Sequence, residues 1–381
     1  IIKDTINKIG QEVKLCGWVA TRRDHGKLVF IDLRDRSGIV QAVGDSRLGD
    51  LRSEDVVEII GLVKERPGKM VNEKITTGKV EIELKEIKVL AKSKELPFPI
   101  ETNGLDIDED VRLKYRYLDL RRQRMLKNLE LRHRMIKTIR DWMDERGFME
   151  IETPIMTKAT PEGARDFLVP SRLQPGSFYA LPQSPQQYKQ LLMVAGIEKY
   201  YQIARCLRDE DLRADRQLEF TQLDVEMSFV TREEVLALVE PLMIHLAEKF
   251  GKKILQVPFP RITYAQAMEK YHDDKFDLRS EEESDVLAFA FVVDQPLFEW
   301  KKTENRWDAM HHPFTAPNPE DIPLIEKGNL GKVRSWQYDL VCNGYEVAGG
   351  SIRITDPKLQ ENIFGIMGHT KEQIKKKFGH L

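Results

Sequence analysis

The sequence predicts an α+β fold, in which a small all-β domain precedes a larger domain of helices and strands. Residues 1–95 contain five short runs of alternating apolar and polar residues, a pattern typical of half-buried strands. From residue 125 onward, apolar residues recur first at helical spacing and then in further strand-like runs. Residues 96–124 are rich first in turn-forming residues and then in basic and aromatic ones, which predicts a hinge or linker.

Five short strands at this spacing predict an OB-type barrel for residues 1–95. The runs cover residues 13–20, 28–34, 39–43, 57–64 and 80–90. In the second run Val29 and Leu33 share a face, which places Phe30 on the opposite face and predicts an exposed aromatic ring. Arg23 lies just before this strand, and an aromatic platform beside positive charge is what single-stranded nucleic acid requires. A second small core beneath a loop is the alternative.

Composition excludes several classes of protein. With 381 residues, 41% of them apolar, the chain is long enough for two or three domains with a real core. The 60 lysines and arginines are offset by 62 carboxylates, so any contact with nucleic acid must come from local patches. The sequence has no apolar run long enough for a membrane span or a signal peptide, which predicts a cytoplasmic protein without membrane contact. The three cysteines lack metal-ligand spacing, so we expect small buried side chains.

The second domain is predicted to begin with a helix of about six turns from Met125, because apolar residues recur there at helical spacing. Gly147 marks a plausible helix end. In the strand-like run that follows, Pro154 cannot donate a ladder hydrogen bond, which predicts an edge or interface position.

Residues 205–229 carry the densest charge in the chain. Both ends alternate in the manner of strands, whereas residues 209–217 are too polar to pack, so we predict two strands joined by a charged loop. On the second strand Phe220, Gln222, Asp224 and Glu226 fall on one face. An aromatic ring beside two carboxylates could stack a base and hold cations, which indicates a phosphate-handling hairpin. A solvated hairpin with salt-bridged arginines is the alternative.

Several segments, taken in order, resemble the class II aminoacyl-tRNA synthetases and in particular the bacterial-type aspartyl-tRNA synthetases. GFMEIETP resembles their first motif, with Pro154 as the dimer-interface proline, and residues 207–229 resemble the second motif. The other matching segments are YRYLDLRR, TPEGARDF, ALPQSPQQYKQLLM, AMHHPFTAP and YDLVCNGYEVAGGSIRI. The order and spacing of these segments make the resemblance specific, and it covers nearly the whole chain.

The resemblance implies an OB-fold that grips the anticodon (1–95), a hinge (96–124) and a catalytic domain (125–381) built on an antiparallel sheet flanked by helices. It implies that the α-carboxylate of L-aspartate attacks the α-phosphorus of ATP, with Mg²⁺ bound, and that the ribose of tRNA(Asp) then attacks the adenylate. It also implies a homodimer. Charging of tRNA(Asn) is left open, as are an asparaginyl or lysyl enzyme and a non-catalytic tRNA-binding paralogue.

The resemblance also assigns roles to single residues. Catalysis would involve Arg208, Glu346 and Arg353. The ATP contacts would be Arg208, Glu210, Gln217, Phe220, Gln222 and Glu346, and the Mg²⁺ ligands Asp339 and Glu346. The aspartate contacts would be Glu162, Ser184, Gln186, Lys189, Asp224, His311, His312 and Arg353. The anticodon contacts would be Arg23, His25, Phe30, Gln41 and Glu81.

Three further expectations follow from the resemblance. Lys189 and Arg353 would receive the side-chain carboxylate of aspartate, since a neutral asparagine would leave two cations unpaired. On a single strand, the spacing of Asp339 and Glu346 would not make them neighbours, so only the resemblance supports that pair. The sequence lacks the large inserted domain of bacterial members and stops before their third motif, so we expect it to be part of a longer protein.

Overall fold

The computed structural model describes residues 1–159, 164–212 and 216–378, the last three of these without side chains. The chain forms two compact units, Ile1–Glu130 and Leu131–Leu381. The predicted domain boundaries near residues 95 and 124 differ from this division and stay a prediction.

The first unit is built around a barrel of short strands. The strands are β1 (Glu12–His25), β2 (Leu28–Asp35), β3 (Gly38–Gly44), β4 (Val56–Glu65) and β5 (Val80–Ala91). They close in the order β1-β2-β3-β5-β4, with β3 and β5 parallel and the other pairs antiparallel. Each predicted run lies within one strand, and the predicted OB-type barrel is confirmed.

The barrel interior is filled by the apolar residues of the alternating pattern. Ile31, Leu33, Ile59 and Ile82 are fully buried in one cluster, which explains why the strands must keep their register. Gly61 lies where β4 passes closest to β5, because a Cβ atom there would come within 2.5 Å of a carbonyl oxygen of β5. The residues between those of the core point outward and form the surface described below.

Residues 96–124 fold into short helices within the first unit. These are α1 (Glu109–Lys114) and α2 (Arg116–Asp119). Asp119 and Arg122 are both fully buried and form a 2.8 Å ion pair, and Arg122 also donates to the carbonyl oxygen of Thr102. Because a buried charge is costly unless it is paired, this ion pair fixes the path of the segment. A hinge function for it remains a prediction.

The second unit is a mixture of helices and strands, entered through α3 (Gln123–Asp144), whose 22 residues make about six turns, as predicted. The elements that follow are β6 (Met149–Glu150), β7 (Leu168–Pro170), β8 (Phe178–Ala180), α4 (Gln186–Val194), β9 (Lys199–Leu207), β10 (Glu219–Met227), α5 (Arg232–Lys249), β11 (Lys253–Ile254), β12 (Arg261–Thr263), α6 (Tyr264–Tyr271), β13 (Val286–Leu287), β14 (Phe289–Val293), β15 (Phe298–Lys301), β16 (Arg306–Ala309), α7 (Ile322–Glu326), β17 (Gln337–Cys342), β18 (Tyr345–Ser351), α8 (Pro357–Ile366) and α9 (Lys371–Phe378).

Two sheets dominate this unit, β10-β9-β6 and β12-β14-β17-β18. Their pairs are antiparallel except β6–β9 and β12–β14. Helix α5 starts with a capping box formed by Thr231 and Glu234, and its Leu236 packs against Phe291 and Leu340 of the second sheet. The barrel and these helix-covered sheets confirm the α+β fold.

Two composition-based expectations have different outcomes. Within residues 1–159, 164–212 and 216–378, no helix has the length and apolar character that crossing a membrane requires. The cytoplasmic location stays a prediction. Cys206 and Cys342 are buried as expected, but the expectation is wrong for Cys16, which is exposed on the outward face of β1 beside Glu58.

Candidate functional site

The β9–β10 hairpin presents one apolar and one polar face, as its sequence predicts. Leu223 and Val225 pack with Trp142 of α3 and Leu242 of α5 in one apolar cluster. Because side chains alternate along a strand, the residues between them face the other way, which leaves a polar face opposite the helices. The charged loop that joins the strands begins at Arg208.

Arg208 and Phe220 lie together at the open end of this polar face. The guanidinium carbon of Arg208 is 5.1 Å from the centre of the Phe220 ring, and Nε donates to the carbonyl oxygen of Gln183 at 3.4 Å. A guanidinium held over an aromatic ring keeps its other donors available for an anion such as phosphate.

Three further residues predicted to contact ATP, Glu210, Gln217 and Gln222, are near this pair in sequence, but fewer contacts fix their side chains; the fourth, Glu346, lies on β18. The thiol of Cys206 donates to Oε1 of Gln222, on the polar face, at 3.3 Å. In the connecting loop, Glu210 is 3.8 Å from Arg216, and Gln217 is exposed.

Lys189 is buried on α4 beside the two carboxylates of β10. Its Nζ is 2.8 Å from Oδ1 of Asp224 and 3.3 Å from Oε2 of Glu226. Burial alone would lower the pKa of Lys189, but Asp224 and Glu226 outweigh it and raise that pKa above the usual value. Lys189 is therefore a charged ammonium inside the protein.

A second cation, Arg353, follows β18 and lies in the same site. Its Nη2 donates to Oε1 of Gln186 at 2.7 Å, and its Nε is 3.9 Å from Oε1 of Glu226. Nη1 contacts Ser351 and Nε2 of His312. Glu226 is thus a counter-ion shared by the two cations Lys189 and Arg353.

His312 is neutral in this surrounding. Burial, and then the positive charges of Arg353, Lys189 and His311, hold the pKa of His312 well below its usual value. A neutral imidazole can accept a hydrogen bond from Arg353, whereas a protonated ring would repel it.

Three polar atoms of this site are buried without a hydrogen-bond partner among the residues that the structure describes: Nε2 of Gln186, Oδ2 of Asp224 and Nε of Arg353. Burial of such groups costs free energy unless a ligand satisfies them. They comprise two donors and one acceptor beside two cations. The site suits a small molecule that carries both an anionic and a cationic group.

Two acidic residues, Asp339 and Glu346, lie on the β17–β18 hairpin. Asp339 is buried and accepts hydrogen bonds from the side-chain amides of Gln295 (2.8 Å) and Gln337 (3.0 Å). Burial, and then the negative charge of Glu346, raise the pKa of Asp339. Glu346 itself is 3.0 Å from the ammonium of Lys275.

Asp339 and Glu346 influence each other because they lie on two strands rather than along one. Asp339 pairs with Gly349, and Glu346 pairs with Val341 after an irregularity in the register. The objection from strand spacing therefore does not apply. Gly349 gives the Asp339 carboxylate room, since a Cβ atom there would lie 2.7 Å from Oδ1.

The adjacent histidines belong to different networks. Nε2 of His311 contacts Oε1 of Gln295, the amide that holds Asp339, whereas His312 contacts Arg353. The two histidines thus extend from the acidic pair to the cationic site.

The five residues predicted to contact an anticodon lie together on the outer face of the barrel. Nη2 of Arg23 donates to Asp32 at 2.9 Å and to Gln41 at 3.3 Å, and Nε2 of Gln41 donates to Glu81 at 3.1 Å. Strand pairing aligns Arg23 with Phe30 and Gln41 with Glu81. This surface offers hydrogen-bonding groups in a row across β1, β2, β3 and β5.

Phe30 is half-buried, so the prediction of a fully exposed ring is wrong. Its edge is covered by His25, whose ring is perpendicular to it with centroids 5.5 Å apart. The outward position on β2 agrees with the alternating pattern, because Ile31 of the same strand is in the core.

Three other predicted residues have less defined surroundings. Glu162 lies outside the described residues. Ser184 Oγ accepts from the backbone N–H of Gln186 at 3.3 Å, which places it at the start of α4. Pro154 is exposed in irregular backbone after β6.

Sequence reasoning assigned no role to Gln183 or Gln295, and it gave Glu226 only as one of two carboxylates on the polar face of β10 that could hold cations. The alternation of β10 already placed Glu226 on the polar face beside Asp224, so that signal was available. For Gln183 and Gln295 there was none, because their importance comes from partners distant in sequence.

Known proteins resemble nearly the whole chain in sequence. Residues 108–381 match the model of tRNA synthetases class II (D, K and N), and residues 13–90 match the OB-fold nucleic acid binding domain. A protein of Syntrophomonas wolfei subsp. wolfei named Aspartate--tRNA(Asp/Asn) ligase is 41% identical over 508 residues, which span 99% of this chain and 86% of the relative. That alignment is longer than the chain, so the relative has residues that face gaps in this sequence.

Solved structures share the fold. An asparaginyl-tRNA synthetase from Pyrococcus horikoshii complexed with asparaginyl-adenylate has a TM-score of 0.77 at 23% identity, covering 97% of this chain and 87% of that one. An aspartyl-tRNA synthetase from Entamoeba histolytica has a TM-score of 0.77 at 20% identity, covering 99% and 83%. At these identities the likeness is one of fold alone.

The buried neutral histidine makes a prediction about pH. In the unfolded chain His312 takes up a proton below about pH 6.5, whereas in the native protein it stays neutral. The native state therefore loses stability as the pH falls below that value, and above it His312 has no such effect. We expect wild type to lose on the order of 1 kcal/mol more than His312→Gln between pH 7 and pH 5 in urea unfolding. His133→Gln, on an exposed face of α3, is the control and should behave like wild type. Equal slopes for wild type and His312→Gln would contradict the buried neutral ring.

Proposed function

The chain belongs to the class II tRNA synthetases of the D, K and N group, and from this premise we propose that it activates aspartate with ATP and transfers it to tRNA(Asp). The pair of cations Lys189 and Arg353, the first buried and the second half-buried, carries the choice of amino acid. Lysine would bring a third positive charge to this pair. Asparagine would leave the two cations without an added anion, and sites with unmatched polar groups reject such analogues strongly.

Aspartate fits the buried atoms that lack partners. Nε of Arg353 can donate to the side-chain carboxylate without losing an existing hydrogen bond, and Lys189 supplies the second positive charge. Oδ2 of Asp224 can accept from the α-ammonium, with Ser184 and Gln186 at the start of α4 beside it. Glu162, His311 and His312 complete the proposed aspartate contacts.

The first chemical step needs positioned charge rather than a protein nucleophile. We place adenine on Phe220 and the α-phosphate on Arg208, which lies next to that ring. The α-carboxylate of aspartate attacks the α-phosphorus, and pyrophosphate leaves in line. Arg208 stabilises the negative charge that develops on the phosphate oxygens, and binding both substrates in this geometry supplies much of the rate. Glu210, Gln217 and Gln222 are the further proposed ATP contacts.

Asp339 and Glu346 fit a magnesium ion. Burial and the negative charge of Glu346 raise the pKa of Asp339, and a divalent cation beside the two carboxylates would offset that repulsion. Two carboxylates suit Mg²⁺, because Mg²⁺ usually takes one or two carboxylates plus phosphate oxygens and water. When bound, Mg²⁺ would neutralise charge on the phosphates of ATP. Glu346 would exchange its ion pair with Lys275 for the metal.

The outer face of the barrel is the proposed anticodon site. Bases of a single-stranded loop can stack on Phe30, while Arg23, Gln41 and Glu81 present donors and acceptors to base edges. His25 lies against Phe30 and is the fifth contact. We extend the proposal to tRNA(Asn) because the Syntrophomonas relative is named for both tRNAs.

We also propose a homodimer that forms through the region of Pro154. Ile155 and Met156, directly after it, are more than half exposed, as is Met149 on β6, and exposed apolar residues in a group mark interaction surfaces. Met156→Glu should shift the protein from dimer to monomer in analytical ultracentrifugation. Met70→Glu, exposed in the other unit, should leave the dimer intact. A wild-type monomer at micromolar concentration would contradict the proposal.

The aspartate assignment is tested by Arg353→Leu. This change removes a buried donor of the side-chain carboxylate, so aspartate-dependent ATP–pyrophosphate exchange should fall at least about 100-fold while ATP still binds. Arg261→Leu, which removes an exposed arginine of the same unit, should retain full exchange. Exchange that survives in Arg353→Leu, or a wild type that prefers asparagine or lysine, would rule out the assignment.

The anticodon role is tested by Phe30→Ala. Loss of the stacking ring should reduce kcat/KM for tRNA charging about 10- to 100-fold, since stacking contributes about 1 to 3 kcal/mol per base. Pyrophosphate exchange without tRNA should stay within twofold of wild type. Val89→Ala, an exposed apolar residue of β5, is the control for both assays. The assays use tRNA(Asp) and tRNA(Asn) separately, and equal losses in charging and exchange would contradict an anticodon role.

A further inference from the structure

Gln183 is a buried amide with no role in the chemistry described so far. Its side chain is 1% exposed, and Nε2 donates to the carbonyl oxygen of Ala164 at 2.8 Å and to Oδ1 of Asp166 at 2.6 Å. Its Oε1 accepts from the backbone N–H of Ala164 at 3.0 Å. One side chain therefore binds residues 164–166 in both hydrogen-bonding directions, much as a neighbouring strand would.

The backbone of the same residue contacts Arg208. The carbonyl oxygen of Gln183 accepts from Nε of Arg208 at 3.4 Å. Nε carries one N–H, and the other four N–H donors of the guanidinium are on Nη1 and Nη2. Nη1 and Nη2 keep their freedom to bind an anion. Gln183 thus connects residues 164–166 to the arginine that we place on the α-phosphate.

Backbone hydrogen bonds strengthen this connection on both sides. The N–H of Leu181 donates to the carbonyl oxygen of Phe167, and the N–H of Leu207 donates to that of Pro182, both at 2.9 Å. The N–H of Asp209 donates to the carbonyl oxygen of Arg165 at 3.0 Å. Three chain segments, 164–167, 181–183 and 207–209, are therefore joined around Arg208.

The proposed aspartate site begins one residue further along the chain. Ser184 and Gln186 follow Gln183, and Gln186 accepts from Arg353 at 2.7 Å. A shift of Gln183 would move the arginine of the phosphate and the start of the amino-acid site relative to each other. Misplacement by about 1 Å can reduce a rate by about 100-fold.

We propose that Gln183 is a positioning residue for the activation step, which holds Arg208 in register with the aspartate site through its hydrogen bonds to Ala164 and Asp166. This inference rests on the proposed function. Gln183 contacts neither substrate in this proposal, so its loss should act on kcat rather than on aspartate binding.

The test compares Gln183→Met with wild type in aspartate-dependent ATP–pyrophosphate exchange. Methionine keeps the length of the side chain and removes every hydrogen bond. We expect kcat to fall about 30- to 100-fold while KM for aspartate stays within about threefold. Gln174→Met, at an exposed position in the same unit, should match wild type. A kcat within threefold of wild type, or a raised KM at unchanged kcat, would overturn the inference.

A second variant covers the case in which Gln183→Met does not fold. Asp166→Asn removes the charged acceptor from a half-buried position and should lower kcat about tenfold at unchanged KM. If both variants fold, the double mutant should lose no more than Gln183→Met alone, because the two side chains act through one hydrogen bond. Additive losses, or full activity of Asp166→Asn, would overturn the inference. Absence of exchange in wild type and Gln174→Met alike would instead refute the proposed function, and the inference with it.

Discussion

The shared counter-ion Glu226 is the constraint on which the active site depends. Lys189 is buried and Arg353 is half-buried, and the carboxylate of Glu226 lies 3.3 Å from the first and 3.9 Å from the second. Without it the two cations would repel each other in a region where water screens little, and burial of an unpaired charge costs several kcal/mol. The three charges come from α4, β10 and the chain after β18. These charges are therefore balanced where the three elements pack together.

Register in the β9–β10 hairpin makes that arrangement possible. Leu223 and Val225 face α3 and α5, and the intervening Asp224 faces Lys189. A slip of one residue would turn the carboxylates toward the helices and the apolar side chains toward the cations. The pairing of Asp224 with Gln202, deep in the hairpin, therefore sets both the core and the charge distribution. The same alternation operates in β2, where Ile31 fills the barrel and Phe30 faces outward.

The sequence predicted most of what periodicity controls and little of what long-range contacts control. The five barrel strands, α3 and the polar face of β10 follow from local periodicity, so each predicted run of the barrel lies within its strand, although β1 continues beyond its predicted run to His25. The surroundings of Asp339 could not be predicted from local periodicity. Its amide partner Gln295 is 44 residues away, and Glu346 lies on the neighbouring strand, after the turn that joins β17 to β18. Gln183 was missed for the same reason. The ring contact between His25 and Phe30 also escaped prediction, because no pattern in the sequence encodes it.

Amino-acid specificity in this family must reside in a few charges rather than in the fold. An asparaginyl and an aspartyl enzyme, from other organisms, match this chain with the same TM-score of 0.77. A scaffold common to both cannot distinguish a carboxylate from an amide of nearly equal size. The distinction requires groups whose free energy depends on the charge of the ligand, and we propose Lys189 and Arg353 as such groups. Asp224 and Glu226 already balance these two cations in the free protein, so a carboxylate gains its advantage over an amide only if it lies correctly against both cations. Specificity then depends on geometry, which is why the residues that hold Arg353 and Arg208 in place matter as much as the cations themselves.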